Sequence, residues 1–150
     1  MLFYFRMALA ICFFFYRNLS SKYRKKGDVI YMANSLKIKR IYEEPAPDDG
    51  TRILVDRLWP RGVKKERAAL DGWWKVVAPS PELRKWFAHD PEKFEEFRVL
   101  YTAELDENPE AAKYREKINS MLKGGNVTLL YGAKDPEHNH AIVLAEWLMH

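Results

Sequence analysis

Cysteine occurs once in the 150-residue chain, at Cys12, which excludes an intrachain disulfide framework and a thiolate metal site. No thiol follows residue 32, so the folded part offers no cysteine nucleophile. Signature loops are missing as well. No G-x-G-x-x-G, phosphate loop or G-x-S-x-G stretch is present, and Gly124-Gly125 leads into a strand-like segment, not a helix, so it does not cradle a phosphate. A spanning helix needs about 20 apolar residues; residues 2–16 (LFYFRMALAICFFFY) fall short and contain Arg6. Excess positive charge is also absent from most of the chain. Six of the 25 Lys and Arg, against one of the 21 Asp and Glu, lie in residues 1–31, leaving 19 basic and 20 acidic residues in 32–150. The formal charge of +4 is thus a property of the first segment. General attraction to nucleic acid, which needs clustered Lys and Arg, loses its support in the remainder.

Residues 1–31 read as an apolar and basic extension ahead of the domain. The expected reading is that Met32 is the true start, the upstream residues being an over-extended translation or a disordered tail. The sharper alternative is a short membrane-associated anchor over residues 2–16. A secretory signal would carry its positive charge before the apolar run and end in a small-residue cleavage site, neither of which is seen here. If the segment inserted, its basic side would stay in the cytoplasm and hold the domain there. A cytoplasmic location is therefore expected on either reading.

Residues 32–150 are expected to form a single α/β domain, with a small, at least partly parallel sheet flanked by helices. Residues 36–42 (LKIKRIY) alternate weakly, as an edge strand does. Residues 44–50 form a proline-containing loop. Arg52 to Trp59 is a near-continuous apolar run, the pattern of a central strand. Ser80-Pro81-Glu82, Asp90-Pro91-Glu92, Asn108-Pro109-Glu110 and Asp135-Pro136-Glu137 each place a capping side chain before proline, with an acid in the first turn, and predict four helix starts. The second helix would turn Phe94, Phe97, Leu100, Tyr101 and Leu105 inward. The third would use Tyr114, Ile118, Met121 and Leu122, residues 126–131 form a strand, and Pro136 to Met149 closes the fold. Strands separated by helices point to a parallel sheet.

Two places break the apolar pattern. Asp56 and Arg57 interrupt the middle of a strand expected to be covered on both faces, and an unpaired buried charge is costly there. Each must be paired, Asp56 by backbone or a Trp N–H and Arg57 by a carboxylate, or reach a polar cleft. Ligands in open α/β sheets bind beyond the carboxyl ends of the strands. If the 52–59 and 126–131 strands are parallel neighbours, Arg61 and the Tyr131–His140 loop meet at one edge. The candidate ligand-binding residues are Asp56, Arg57, Arg61, Lys134, Asp135 and Asn139, with N–H donors from the 135–140 helix start. His138, His140 and Tyr131 are the candidates for proton transfer. A helix dipole disfavours added positive charge on either histidine. His138 and His140 are two apart, which on a helix separates them by about 200°, so no metal is assigned. His89-Asp90 reads as structural, because Asp90 is explained as a cap.

From about Leu36 to Leu148, VDRLWPRG, PELRKWFAHDPEKFEEF and VTLLYGAKDPEHNHA together resemble the YeaO-like family, a branch of the bacterial and archaeal group called domain of unknown function 488. The resemblance implies a small, generally cytoplasmic, single-domain α/β protein with no established activity, and the sequence names no cofactor. The wider group often has a cysteine ending the last strand and a Cys-His-Arg run opening the final helix. Tyr131 and His138-Asn139-His140 stand in those places, so thiol chemistry does not carry over. Some relatives are labelled winged-helix regulators, which the balanced charge of residues 32–150 and the lack of a basic recognition helix argue against. The first functional expectation is a site for a small anionic, nucleotide-like ligand. A second is an interaction module with Trp73-Trp74 and Trp86-Phe87 as an exposed aromatic patch. A third, nucleic-acid binding, requires the basic cluster at 17–26 to be structured.

Overall fold

The computed structural model describes residues 23–26, 29–32 and 34–150. The chain divides into two units, residues 1–35 and 36–150. In the first, strands β1 (Tyr23–Lys26) and β2 (Val29–Met32) pair antiparallel. The anchor expected over residues 2–16 lies outside the described residues, as does the 17–22 part of the basic cluster. No described helix is long and apolar enough to cross a membrane.

The second unit is built on Val127-Thr128-Leu129-Leu130-Tyr131, five uncharged residues of which three are β-branched or aromatic. All five are buried, as strand β6 (Val127–Tyr131). β3 (Leu36–Arg40) pairs with one side of it and β4 (Thr51–Leu54) with the other, both parallel, and β5 (Gly72–Trp73) extends β4. The sheet order is β3-β6-β4-β5. Parallel neighbours require crossovers, and the long one between β4 and β6 carries most of the helices. These are α1 (Lys65–Ala68), α2 (Pro81–Phe87), α3 (Phe94–Glu107) and α4 (Pro109–Gly124); α5 (His140–Met149) follows β6.

Side chains alternate across the sheet, and the two faces carry different cores. Val127, Leu129, Tyr131 and Ile53 join the large cluster with Phe97, Tyr101, Ile118, Leu144 and Trp147 from the helices. Leu54 and Leu130 face the other way, into a small cluster with Ile41, Val63 and Ala68. Each fully buried Leu or Ile contributes about 1.5–3 kcal/mol, so the larger cluster dominates. On α3, Phe94, Phe97, Tyr101 and Leu105 are buried as the spacing predicts. Leu100 is exposed instead, one position off the stripe.

Three of the four helix starts form with their caps in place. Ser80, Asp90 and Asn108 accept from the N–H groups of Leu83, Glu92 and Glu110 at 3.1, 3.0 and 3.0 Å. Asp90-Pro91 opens a single 3₁₀ turn that runs directly into α3. The fourth start does not begin a helix. Asp135 Oδ1 satisfies the N–H groups of Glu137 and His138 within a turn. Asn139 then adopts an extended conformation and caps α5 itself, accepting from Ile142 N at 3.2 Å.

At the amino end of β4, Asp49 and Arg52 form a nearly enclosed ion pair joined by Lys39. Burial alone would raise the Asp49 carboxyl. The Ala46 N–H, Lys39 and Arg52 outweigh it and hold the group below its ordinary value of 3.8. A depressed carboxylate adds stability that is present above the unfolded value and is lost as pH falls through the folded one. Asp49→Asn should therefore cost about 3 kcal/mol at pH 7 and flatten the decline of the urea midpoint below about pH 4; a parallel decline in both proteins contradicts the pairing. Next to it, Gly50 has φ of 64°, and a Cβ there would lie 1.9 Å from the Asn126 carbonyl oxygen. Gly50→Ala should lose at least about 2 kcal/mol in urea unfolding, whereas an unchanged midpoint refutes the close approach.

Candidate functional site

β4 is shorter than its apolar run suggests. The ladder ends with Val55 N donating to Leu130 O at 3.0 Å, and Asp56 and Arg57 lie past the strand, not in its middle. Past that point the Asp56 side chain takes over, its Oδ2 accepting from Gly132 N at 2.9 Å. Trp73 Nε1 donates to the Asp56 carbonyl at 2.7 Å, tying the same turn to β5. A Cβ on Gly132 would stand 2.8 Å from Asp56 Oδ2, so the approach depends on glycine.

This corner is the floor of a cleft of about 710 Å³ at the carboxyl end of the sheet. Asp56, Arg57, Trp59, Arg84, Lys85 and His140 are among the residues that line it. The volume is in the range of small-molecule sites. Across the floor, His140 Nε2 lies 3.1 Å from Asp56 Oδ1. The two atoms face each other without the alignment of a good hydrogen bond, and both are enclosed. His140 Nδ1 bonds to no described residue. Nε2 is the enclosed and unbonded nitrogen of the ring, and Nδ1 is not fully enclosed.

Arg57 is positioned by backbone. Nε donates to the Pro79 carbonyl at 3.2 Å and one Nη to the Ala78 carbonyl at 3.3 Å. No described carboxylate pairs with it, contrary to the ion pair expected as its structural role, and Nη1 has no described partner. Arg84 and Lys85 sit on the exposed side of α2, whose inner side is anchored by Leu83 and Phe87. Their side chains make no hydrogen bond or ion pair with a described residue. Among the described residues, lining charges thus comprise Arg57, Arg84 and Lys85 against Asp56, with His89 and His140 beside them. His89 holds a φ of 59° just after Ala88 at 47°, an uncommon backbone for non-glycine residues.

Of the residues singled out in the sequence, Asp56, Arg57 and His140 converge on this cleft. The parallel pairing of β4 with β6 is what brings them together. The others do not line it. Arg61 is exposed, with only its carbonyl engaged, by the Tyr42 hydroxyl. Lys134 is exposed. His138 lies before α5, not in its first turn, where Nδ1 is 2.9 Å from Asp135 Oδ2 and the ring packs edge-on to Phe94. Hydrogen bonds from the Glu137 N–H and from His138 hold Asp135 below the ordinary carboxyl range. Asn139 is consumed as the cap. Tyr131 belongs to the large core. Burial, with the nearby charges of Glu43 and Asp135 and against that of Arg40, raises its hydroxyl above the tyrosine norm, so it keeps its proton at neutral pH.

Arg84, Lys85 and His89 were missed as site residues. No local signal marks Arg84 and Lys85, since exposed cations on a helix are ordinary. The aromatic patch does not form as expected. Trp74 and Phe87 are buried, and Trp73 is half-buried against Trp59, with Lys75 over its face. Among the described residues, no group of three or more His, Cys, Asp or Glu is placed to hold a metal ion.

Gly132→Ala tests the floor directly. It should displace the Asp56 carboxylate and cost about 1–3 kcal/mol in urea unfolding, while wild-type stability would show that the carboxylate does not sit against this backbone.

A family model described as "Inactive DUF488-N3 subclade" matches residues 35–150. The chain is 46% identical over 114 residues to uncharacterized protein YeaO of Escherichia coli strain K12, covering 76% of this chain and 96% of that protein. It is 40% identical over 113 residues to uncharacterized protein Rv3073c of Mycobacterium tuberculosis strain H37Rv, covering 75% and 92%. Uncharacterized protein Mb3100c of Mycobacterium bovis matches to the same extent. No solved structure matches.

Proposed function

We propose that this chain, which belongs to the YeaO-like DUF488-N3i family, binds a small anionic ligand in the cleft beyond the strand ends and does not turn it over. The observation that carries the reading is the posture of Arg57. Two backbone carbonyls hold its guanidinium in place, and Nη1 has no described partner, on a residue that lines the cleft. A guanidinium fixed in this way loses little side-chain freedom when an anion arrives. Arg84 and Lys85 add positive charge from α2, and Asp56 is the single carboxylate among the described lining residues, itself held by Gly132.

Binding without turnover is supported by what lines the cleft. Ser, Thr and Cys are absent among the described lining residues. Tyr131, in the place where relatives in the wider group often have a cysteine, is locked in the core. The word "inactive" in the family description agrees with this reading.

Thermal-shift and calorimetric binding across a panel of nucleotides and sugar phosphates tests it. A hydrogen bond to a charged group contributes about 1.5–3 kcal/mol, so Arg57→Ala should weaken any binder about 10- to 100-fold. Arg61→Ala, outside the lining, should leave affinity unchanged. Equal effects of the two replacements, or no binding by any anion of the panel, would overturn the assignment.

A further inference from the structure

The Asp56–His140 pair gives the cleft a second recognition element, distinct from the charges around it. We infer that the ligand carries a hydroxyl group besides its anionic group, that His140 Nδ1 accepts from that hydroxyl, and that Asp56 fixes the imidazole tautomer that makes this possible. The inference rests on the anion-binding reading and names the ligand class more closely, as a phosphorylated polyol such as a sugar phosphate.

A neutral imidazole has one N–H and one acceptor nitrogen, and its surroundings decide which is which. An ionised carboxylate only accepts. Asp56 Oδ1 lies 3.1 Å from Nε2 in an enclosed setting, so the N–H belongs on Nε2. Nδ1 is then the acceptor, and it is the ring nitrogen that is not fully enclosed, on a side chain that lines the cleft. Asp56 cannot swing away easily, because its other oxygen accepts from Gly132 N at 2.9 Å. The backbone next to β6 thus holds the carboxylate, the carboxylate faces Nε2 of the ring at 3.1 Å, and the tautomer this favours leaves the lone pair on Nδ1.

An acceptor beside three cationic residues would be a poor match for a bare inorganic anion. It suits a molecule with an anion at one end and an O–H donor at the other. Arg57, Arg84 and Lys85 supply donors for a phosphate, and a cleft of about 710 Å³ has room for both groups. Asp56 acts here as a positioning residue, and His140 is the one that would touch the ligand.

The test compares inorganic phosphate with ribose 5-phosphate by calorimetry, in the full chain and in His140→Gln. Glutamine can keep an amide N–H toward Asp56 while removing the acceptor at Nδ1. One neutral hydrogen bond corresponds to about a 2- to 10-fold gain, so the wild-type chain should prefer ribose 5-phosphate by that factor. His140→Gln should bring the ratio near one. Nitrogen-15 chemical shifts of His140 should report the Nε2–H tautomer in the wild type and move toward Nδ1–H in Asp56→Asn, a change that loss of packing alone does not produce. If phosphate and ribose 5-phosphate bind equally, or the preference survives His140→Gln, the hydroxyl inference fails while the anion site stands. If neither binds, the hydroxyl inference fails, and the anion site falls with it only when the nucleotides and other sugar phosphates of the panel also fail to bind. Should His140→Gln not fold, a wild-type Nδ1–H tautomer would overturn the inference by itself.

Discussion

The parallel pairing of β4 with β6 is the constraint on which the rest of this molecule depends. Residues 54 and 130 are direct partners, so the chain leaves both strands at the same rim. The last ladder bond, from Val55 N to Leu130 O, is followed by a bond of another kind, from Gly132 N to the Asp56 carboxylate. A side chain thereby continues what the backbone began and holds the two departing segments together. That bond places Asp56 opposite His140 at the head of α5 and directs Arg57 toward the carbonyls of residues 78 and 79. An antiparallel arrangement of the same strands would have put these residues at opposite ends of the sheet.

Much of this was legible in the sequence because it depends on periodicity and on caps. The uncharged run at 127–131 gave a buried strand, the Ser/Asp/Asn-Pro-Glu signals gave three helix entries, and the strand-helix order gave the parallel sheet. What was misread follows from local competition. The apolar pattern continues to Trp59, but the chain turns after Val55, since Asp56 satisfies Gly132 through its side chain and its carbonyl goes to the Trp73 indole. Asp135-Pro136-Glu137 has the composition of a helix start. Two N–H groups are already satisfied within its turn, however, and Asn139 takes over the cap. His138 therefore moved off the helix, and His140 became its first residue.

The candidate site was only half readable. Asp56 and Arg57 stand out because charges at buried positions violate the strand pattern. Tyr131 was chosen for its place at the strand end, but strict alternation puts it on the same face as Val127 and Leu129, within the hydrocarbon core. Arg84 and Lys85 could not be singled out, because exposed cations on a helix are ordinary, and their significance comes from the long crossover that returns α2 to the mouth of the cleft. Asp56 and Arg57 are held by backbone groups distant in sequence, from Gly132 and from Ala78 and Pro79.

β5 is only two residues long and ends the sheet beyond β4. An unpaired sheet edge is a template for another chain to add on, and short strands and lysines are common ways of blunting it. Here Lys75 covers the Trp73 indole, and two residues offer too few free backbone groups for an intruding strand to find register. The parallel core, slow to assemble because its partners are far apart in the chain, is thus protected on this side against edge-to-edge association while it forms.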